Sequence, residues 1–274
     1  MALLALTACG QAPYDPTDTR TPLPSSRIQG VVALSPMGCR TTLTRICRLG
    51  EELRFQVPTP NGRTWASKPF VVPASQDGTT DGATIPRAVW SLIGLPYDPL
   101  FVRPAILHDH YTYEENLVRP WRDTHRMFFY ALREEGVDPI IAQVMFYAVY
   151  TFGGQWTEIS PGDDCGSDCA QVTGPVAREL LYYPPTLDTP DAAREIAAVY
   201  EALRTQPQSE RRTLAPPSNA ALLAQIEDIA EARNPANIPF MGRGIATLST
   251  DQNSRIATDI AEGRARRIAM PSED

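Results

Sequence analysis

Histidine is scarce in this 274-residue chain, with only three copies, and the standard motifs of nucleophilic and cofactor chemistry are missing. There is no GxSxG elbow, no HExxH, no glycine-rich phosphate loop and no CxxC pair. Serine-hydrolase, zinc-protease and nucleotide-binding signatures are therefore absent. No segment approaches the roughly 18 consecutive apolar residues of a spanning helix. Basic runs are lacking beyond Arg264-Ala265-Arg266-Arg267, and the net charge is −7. Non-specific nucleic-acid binding depends on clustered positive charge, so nucleic acid is not an expected partner. No internal repeat is visible.

Cysteine is also sparse, at five residues, but its placement is informative. Leu6-Thr7-Ala8-Cys9 has the form of a bacterial lipoprotein signal, with Cys9 as the lipidated residue. No Lys or Arg precedes it, whereas a working signal has a basic start, so the true start is expected upstream. Residues 11–26 are rich in Pro, Thr and Ser, as a tether would be. Gly10 rather than Asp after the cysteine favours the outer membrane of a Gram-negative host. Setting Cys9 aside leaves an even number: Cys39 with Cys47, and Cys165 with Cys169. In an oxidising periplasm these read as two short disulfides, the alternative being four separate buried thiols.

Proline and glycine divide the rest. Residues 28–75 carry short β-like runs, among them residues 27–34, Leu53-Arg54-Phe55-Gln56-Val57 and Pro69-Phe70-Val71-Val72-Pro73. Turns such as Thr59-Pro60-Asn61-Gly62 separate them. Residues 84–156 read as helices: Pro86 opens one and Gly94 closes it, while Asp138-Pro139 opens another and Gly153-Gly154 ends it. Residues 190–268 hold Ala- and Glu-rich helical runs, including 192–204 and 219–233. The expectation is an α+β fold, a small antiparallel β unit packed on a three-helix core. It has three zones: a signal remnant and tether at 1–27, a core domain at 28–160, and an accessory helical region at 161–274.

The three histidines, His108, His110 and His125, all fall within the core zone and are interleaved with acids. A carboxylate that orients an imidazole, or shares a metal with it, is a common proton-transfer device. Helical geometry puts His108 and Asp109 at the edge of one cleft and turns His110 away, to solvent or to a supporting position. On the following helix Asp123, Met127 and Tyr130 share one face, and His125, Phe128, Phe129 and Leu132 the other. A buried acid needs a partner, and His108 is the expected one for Asp123. His125 is expected to be packed among its phenylalanines with one hydrogen bond. Asp81, in Thr80-Asp81-Gly82, is either a metal ligand or a helix cap. The set is either catalytic or a hydrogen-bond network tying two helices together. An HD-type phosphohydrolase is excluded, because no histidine precedes His108.

Residues 70–156 resemble a family found in phages and bacteria, domain of unknown function 1353. The resemblance rests on Phe70-Val71-Val72-Pro73, Thr80-Asp81-Gly82-Ala83-Thr84-Ile85-Pro86-Arg87 with Trp90, and Pro104-Ala105-Ile106-Leu107-His108-Asp109. It continues through Arg119-Pro120-Trp121-Arg122-Asp123 and Tyr150-Thr151-Phe152-Gly153. It implies an envelope or phage setting and no particular reaction. The site is similar, at the level of chemistry, to that of secreted phospholipase A2-type enzymes. That likeness implies His108 as general base, Asp109 as a calcium ligand and Asp123 as the orienting acid, with Tyr111 or Tyr113 bonded to Asp123. The glycine-rich calcium loop of those enzymes is missing, and Asp81-Gly82 would stand in for it.

The expectation is therefore a periplasmic, lipid-anchored hydrolase of envelope lipid or peptidoglycan. His108 and Asp123 are its catalytic pair, and Asp81 and Asp109 hold a divalent cation, calcium or zinc. The alternative is a non-catalytic envelope or phage-associated protein whose His/Asp network is structural and whose C-terminal helices bind a protein partner.

Overall fold

A computed structural model describes residues 28–30, 34–35, 47–59, 62–67, 79–80, 82–83, 85–96, 98–161, 169–172, 179–206, 217–233 and 250–269. Cys9, Cys39, Asp81 and Cys165 lie outside these residues, as do the side chains of Cys47 and Cys169, so the lipid anchor and both disulfides fall outside the description.

The architecture is α+β. Its strands are β1 (Leu34–Ser35), β2 (Cys47–Leu49), β3 (Leu53–Gln56), β4 (Thr64–Ser67), β5 (Thr79–Thr80), β6 (Gln155–Pro161), β7 (Cys169–Val172), β8 (Glu179–Tyr183) and β9 (Arg266–Ala269). Its helices are α1 (Trp90–Ile93), α2 (Val102–His110), α3 (Trp121–Glu134), α4 (Pro139–Phe152), α5 (Pro190–Thr205), α6 (Asn219–Arg233) and α7 (Thr250–Ala261). The N-terminal β unit is antiparallel, as expected. It comprises a sheet in the order β1-β2-β5 and the hairpin β3-β4. The hairpin is closed where Thr59, Gly62 and Arg63 bond back along the turn. In β3 and β4 every second side chain is buried, so Leu53, Phe55 and Trp65 enter the core.

Helix α4 is the axis of the molecule. Asp138 caps it, accepting from the Ile140 and Ile141 amides at 2.8 and 3.3 Å, and Pro139 takes the first helical position. Every residue from Ala142 to Phe152 is buried, the mark of a helix apolar all round and enclosed on all sides. It packs against α3, α5 and α6. A side chain at Gly153 would bring its Cβ within 2.2 Å of the Val149 carbonyl oxygen, which requires glycine where the helix gives way to β6.

The region expected to be accessory shares this core. Leu187, Ile196, Val199, Leu203, Leu222, Leu223 and Ile226 belong to the same apolar cluster as Phe129, Phe146 and Tyr150. Its strands β7, β8 and β9 join β6 in a sheet that the periodicity did not announce, ordered β7-β6-β8-β9, in which β6 and β7 run parallel and the other pairs antiparallel. No helix among the described residues is long and apolar enough to cross a membrane.

Candidate active site

The site is built on α2 and α3, which lie against each other between the β unit and α4. Helix α2 is buried along nearly its whole length; His108, Asp109, His110 and, from α3, His125 are 9, 8, 3 and 0% exposed. His108 Nε2 lies 2.8 Å from His125 Nδ1, and His125 Nε2 lies 3.1 Å from the Gly154 carbonyl oxygen. That carbonyl accepts only, so His125 carries its proton on Nε2 and offers Nδ1 as acceptor. His108 must then donate from Nε2, which leaves Nδ1 as its basic nitrogen. The rings sit in an aromatic cage. Phe128 lies against His108 at 4.7 Å, and Trp121 and Trp156 approach His125 edge-on at 5.5 and 6.3 Å.

Burial governs their protonation. Enclosure in this apolar setting holds His108 well below the usual imidazole range, and a charge on His125 would depress it further. Burial likewise lowers His125 to about 4, against the opposing pull of the Gly154 carbonyl. Both rings are neutral at pH 7.

His108 and Asp109 line one cavity of about 410 Å³, in agreement with their expected common cleft. Thr112, Tyr113 and Glu114 continue its polar side, while Phe128, Met145, Leu187 and Ile196 are among the apolar residues opposite. Asp109 Oδ2 accepts from the Thr80 hydroxyl at 2.5 Å, which ties α2 to β5. Glu114 is ion-paired with Arg266 of β9, whose guanidinium also sits 5.3 Å over the Tyr182 ring.

Other expected placements are not realised. Asp123 is not the partner of His108. It is 36% exposed on the opposite side of α3, near Arg63 and Arg126 at 3.8 and 3.7 Å. Asp123, Met127 and Tyr130 do share a face, lining a second cavity together, but that face meets the β3–β4 hairpin and not α2. The Tyr111 hydroxyl bonds both the amide and the carbonyl of Ala66 at 3.1 Å, so it ties α2 to β4 and does not reach Asp123. Of the two positions expected for His110, solvent or support, the solvent-facing one is not taken: it is enclosed, edge-on to Tyr111, with its carbonyl held by Asn116 at 2.6 Å. Tyr113 does line the cavity.

Among the described residues no three His, Cys, Asp or Glu side chains gather as a metal ion would need. They offer a cation at the cavity two carboxylates, Asp109 and Glu114, one engaged by Thr80 and the other by Arg266. The expected ligand pair thus rests on Asp81, outside the described residues.

Sequence reasoning passed over three contributors: His125 as the partner imidazole, the Gly154 carbonyl behind it, and Glu114. The signal for His125 was present, since it shares its helical face with Phe128, which borders the cavity. Gly154 and Glu114 carried no signal that spacing could reveal.

The polar residues 108–114 of the cavity lie within the stretch that matches a family model. Residues 61–149 match the family described as "Protein of unknown function (DUF1353)". The match covers α1 to α3 and most of α4, with His108, Asp109, Glu114 and His125 inside it. Gly154, Tyr182, Leu187, Ile196 and Arg266 fall outside the DUF1353 segment. The chain is similar to "Uncharacterized protein y4iH" of Sinorhizobium fredii (strain NBRC 101917 / NGR234), with 31% identity over 163 residues, 59% of this chain and 64% of that protein. It is also similar to "Uncharacterized protein y4jT" of the same strain, with 36% identity over 103 residues, 38% of this chain and 28% of that protein. The chain thus spans less than two-thirds of either relative. No solved structure matches it.

Proposed function

We propose that this protein is a hydrolase of cell-envelope material, lipid or peptidoglycan, tethered to the outer membrane through a lipidated Cys9, with its chemistry at the His108 cavity. The observation that carries this reading is that His108 lines the cavity while its Nε2 is held 2.8 Å from His125 Nδ1, behind the cavity wall. An imidazole kept below its ordinary pKa is unprotonated at neutral pH and available as a base. His108 Nδ1 takes a proton from water as the water oxygen bonds to the substrate carbonyl carbon. The proton then passes to the leaving group as the scissile bond breaks. His125 and the Gly154 carbonyl hold His108 in the tautomer that this requires and take up part of the charge it gains. Asp109, fixed by Thr80, and Glu114, fixed by Arg266, form an acidic rim that would accept hydrogen bonds from the attacking water.

The test uses the full chain with bacterial phospholipid vesicles and, separately, purified peptidoglycan. Released acid is followed at constant pH, and released amine by fluorescamine. Wild type is expected to release product, with an acid limb of kcat/KM below pH 6.5. His108→Gln should lower the rate by about 10²- to 10⁴-fold, the contribution typical of one acid–base group. Asp123→Asn should leave it unchanged. Absence of product from both materials, or full activity in His108→Gln, would overturn the reading. A second reading has its own support: the pair bridges α2, α3 and the residue before β6 while buried, as a structural tie would. In that case His108→Gln would lower stability, and wild type would turn over neither material.

A further inference from the structure

The two sides of the cavity differ in chemistry, and the difference bears on what it holds. Among the described residues its polar side chains with ionisable or hydroxyl groups come from one stretch, residues 108–114, and from Tyr182. The rest of the lining is apolar: Ile93 from α1, Phe128 from α3, Met145 and Val149 from α4, Leu187 beyond β8 and Ile196 from α5. Among the described residues no Lys or Arg lines it, and its carboxyl side chains are Asp109 and Glu114. A phosphate or a free carboxylate would meet Asp109 and Glu114 with no opposing cation on the wall. A glycan or peptide body would bury many polar groups against hydrocarbon, where each one left unpaired is costly. The volume, about 410 Å³, lies within the range of roughly 300–1,000 Å³ seen for small-molecule sites.

We infer that this cavity holds an uncharged acyl chain, its carbonyl at residues 108–114 and its hydrocarbon against α4 and α5. The inference rests on the hydrolytic reading and narrows its substrate to an acyl ester. Part of the apolar wall, Leu187 and Ile196, lies outside residues 61–149, so residues beyond that segment share with α4 in setting chain-length preference.

Binding can be measured without turnover. Alkyl methyl ketones present an ester-like carbonyl that cannot be hydrolysed, and a series from 2-hexanone to 2-decanone can be titrated calorimetrically into the full chain. Affinity should rise roughly four-fold per added methylene, the fold-change equivalent of about 0.8 kcal/mol per buried CH₂. Ala148→Leu, which adds bulk to the cavity wall, should move the limit of that rise to shorter chains. Ketone affinity that does not depend on chain length, or a limit unmoved in Ala148→Leu, would overturn the acyl pocket. A vesicle arm separates the sources of the chain. Release of fatty acid from phospholipid vesicles assigns it to membrane lipid, and cleavage of soluble decanoyl esters alone assigns it to a dispersed acyl ester. The two readings fail separately: chain-length-dependent binding without cleavage of any ester sinks the hydrolase and leaves the pocket. Hydrolysis without chain-length dependence does the reverse.

Discussion

His125 is the residue at which burial and chemistry meet most directly, because its pKa of about 4 links the site to the stability of the fold. An unfolded chain exposes imidazoles that protonate near 6.5. Between pH 6.5 and about 4 the unfolded state therefore binds more protons than the folded one, and stability rises with pH across that window. The contribution is intact above pH 6.5 and is lost as pH falls towards 4. For His125 alone the shift corresponds to about 3 kcal/mol, and the lowered pKa of His108 acts in the same direction. Urea denaturation at pH 7 and pH 4 should show wild type losing about 3 kcal/mol more than His125→Gln, since carboxylate titration is common to both chains. Equal losses would mean that His125 is not held neutral. The same residue shows how far sequence carries. Helical spacing sorted α3 correctly into an Asp123 face and a His125 face. It could not say which face met α2, and the chemical preference for an acid beside an imidazole selected the wrong one. A second imidazole serves here because neutral rings cost far less to enclose than a lone carboxylate.

At the scale of elements, α6 docks on α3 through an antiparallel ladder of charges. Arg122, Arg126 and Arg133 of α3 meet Glu231, Glu227 and Asn219 of α6 at 3.4, 2.6 and 3.0 Å. Gln143 of α4 adds a bond to the Leu222 carbonyl at 2.9 Å. Arg126 contacts both Glu227 oxygens, the forked geometry that makes arginine–carboxylate pairs strong. Glu227 is buried, so Glu227→Ala should cost about 1.5–3 kcal/mol, the range for hydrogen bonds to charged groups. The exposed Asp191–Arg194 pair is the contrast, and Asp191→Ala should cost under about 1 kcal/mol. Thermal or urea unfolding of the two variants measures both; equal effects would show that the ladder adds nothing beyond surface pairing. Helix ends were the legible part of these elements, because Asp138-Pro139 and Gly94 act through local geometry alone. Strand β8 was not legible, since Leu180, Leu181 and Tyr182 are buried in succession and leave no two-residue alternation. Its partner β9 pairs Ala269 with Glu179 across a long stretch of sequence, which local pattern cannot show.

For the molecule as a whole, the boundary drawn near residue 161 separates composition, not structure. Alanine- and glutamate-rich helices with charged faces read as an addition to a finished domain, but their apolar stripes complete one. Leu187, Ile196, Val199 and Leu203 close one side of α4, and Leu222, Leu223 and Ile226 close another. A chain ending at residue 161 would lose these contacts and expose α4, which is apolar on every side. Burying one large aliphatic side chain is worth about 1.5–3 kcal/mol, and a whole domain is stable by only about 5–15 kcal/mol. Losing all seven named here removes about 10–20 kcal/mol, as large as that margin. The fragment 1–161 is therefore expected to lack a cooperative thermal transition and near-ultraviolet dichroism from its tryptophans, and to bind hydrophobic dye strongly. A sharp transition with full-length tryptophan signals would show that the N-terminal segment folds alone. The apolar wall of the cavity would then be an addition to a finished domain, and chain-length selection a property grafted onto it.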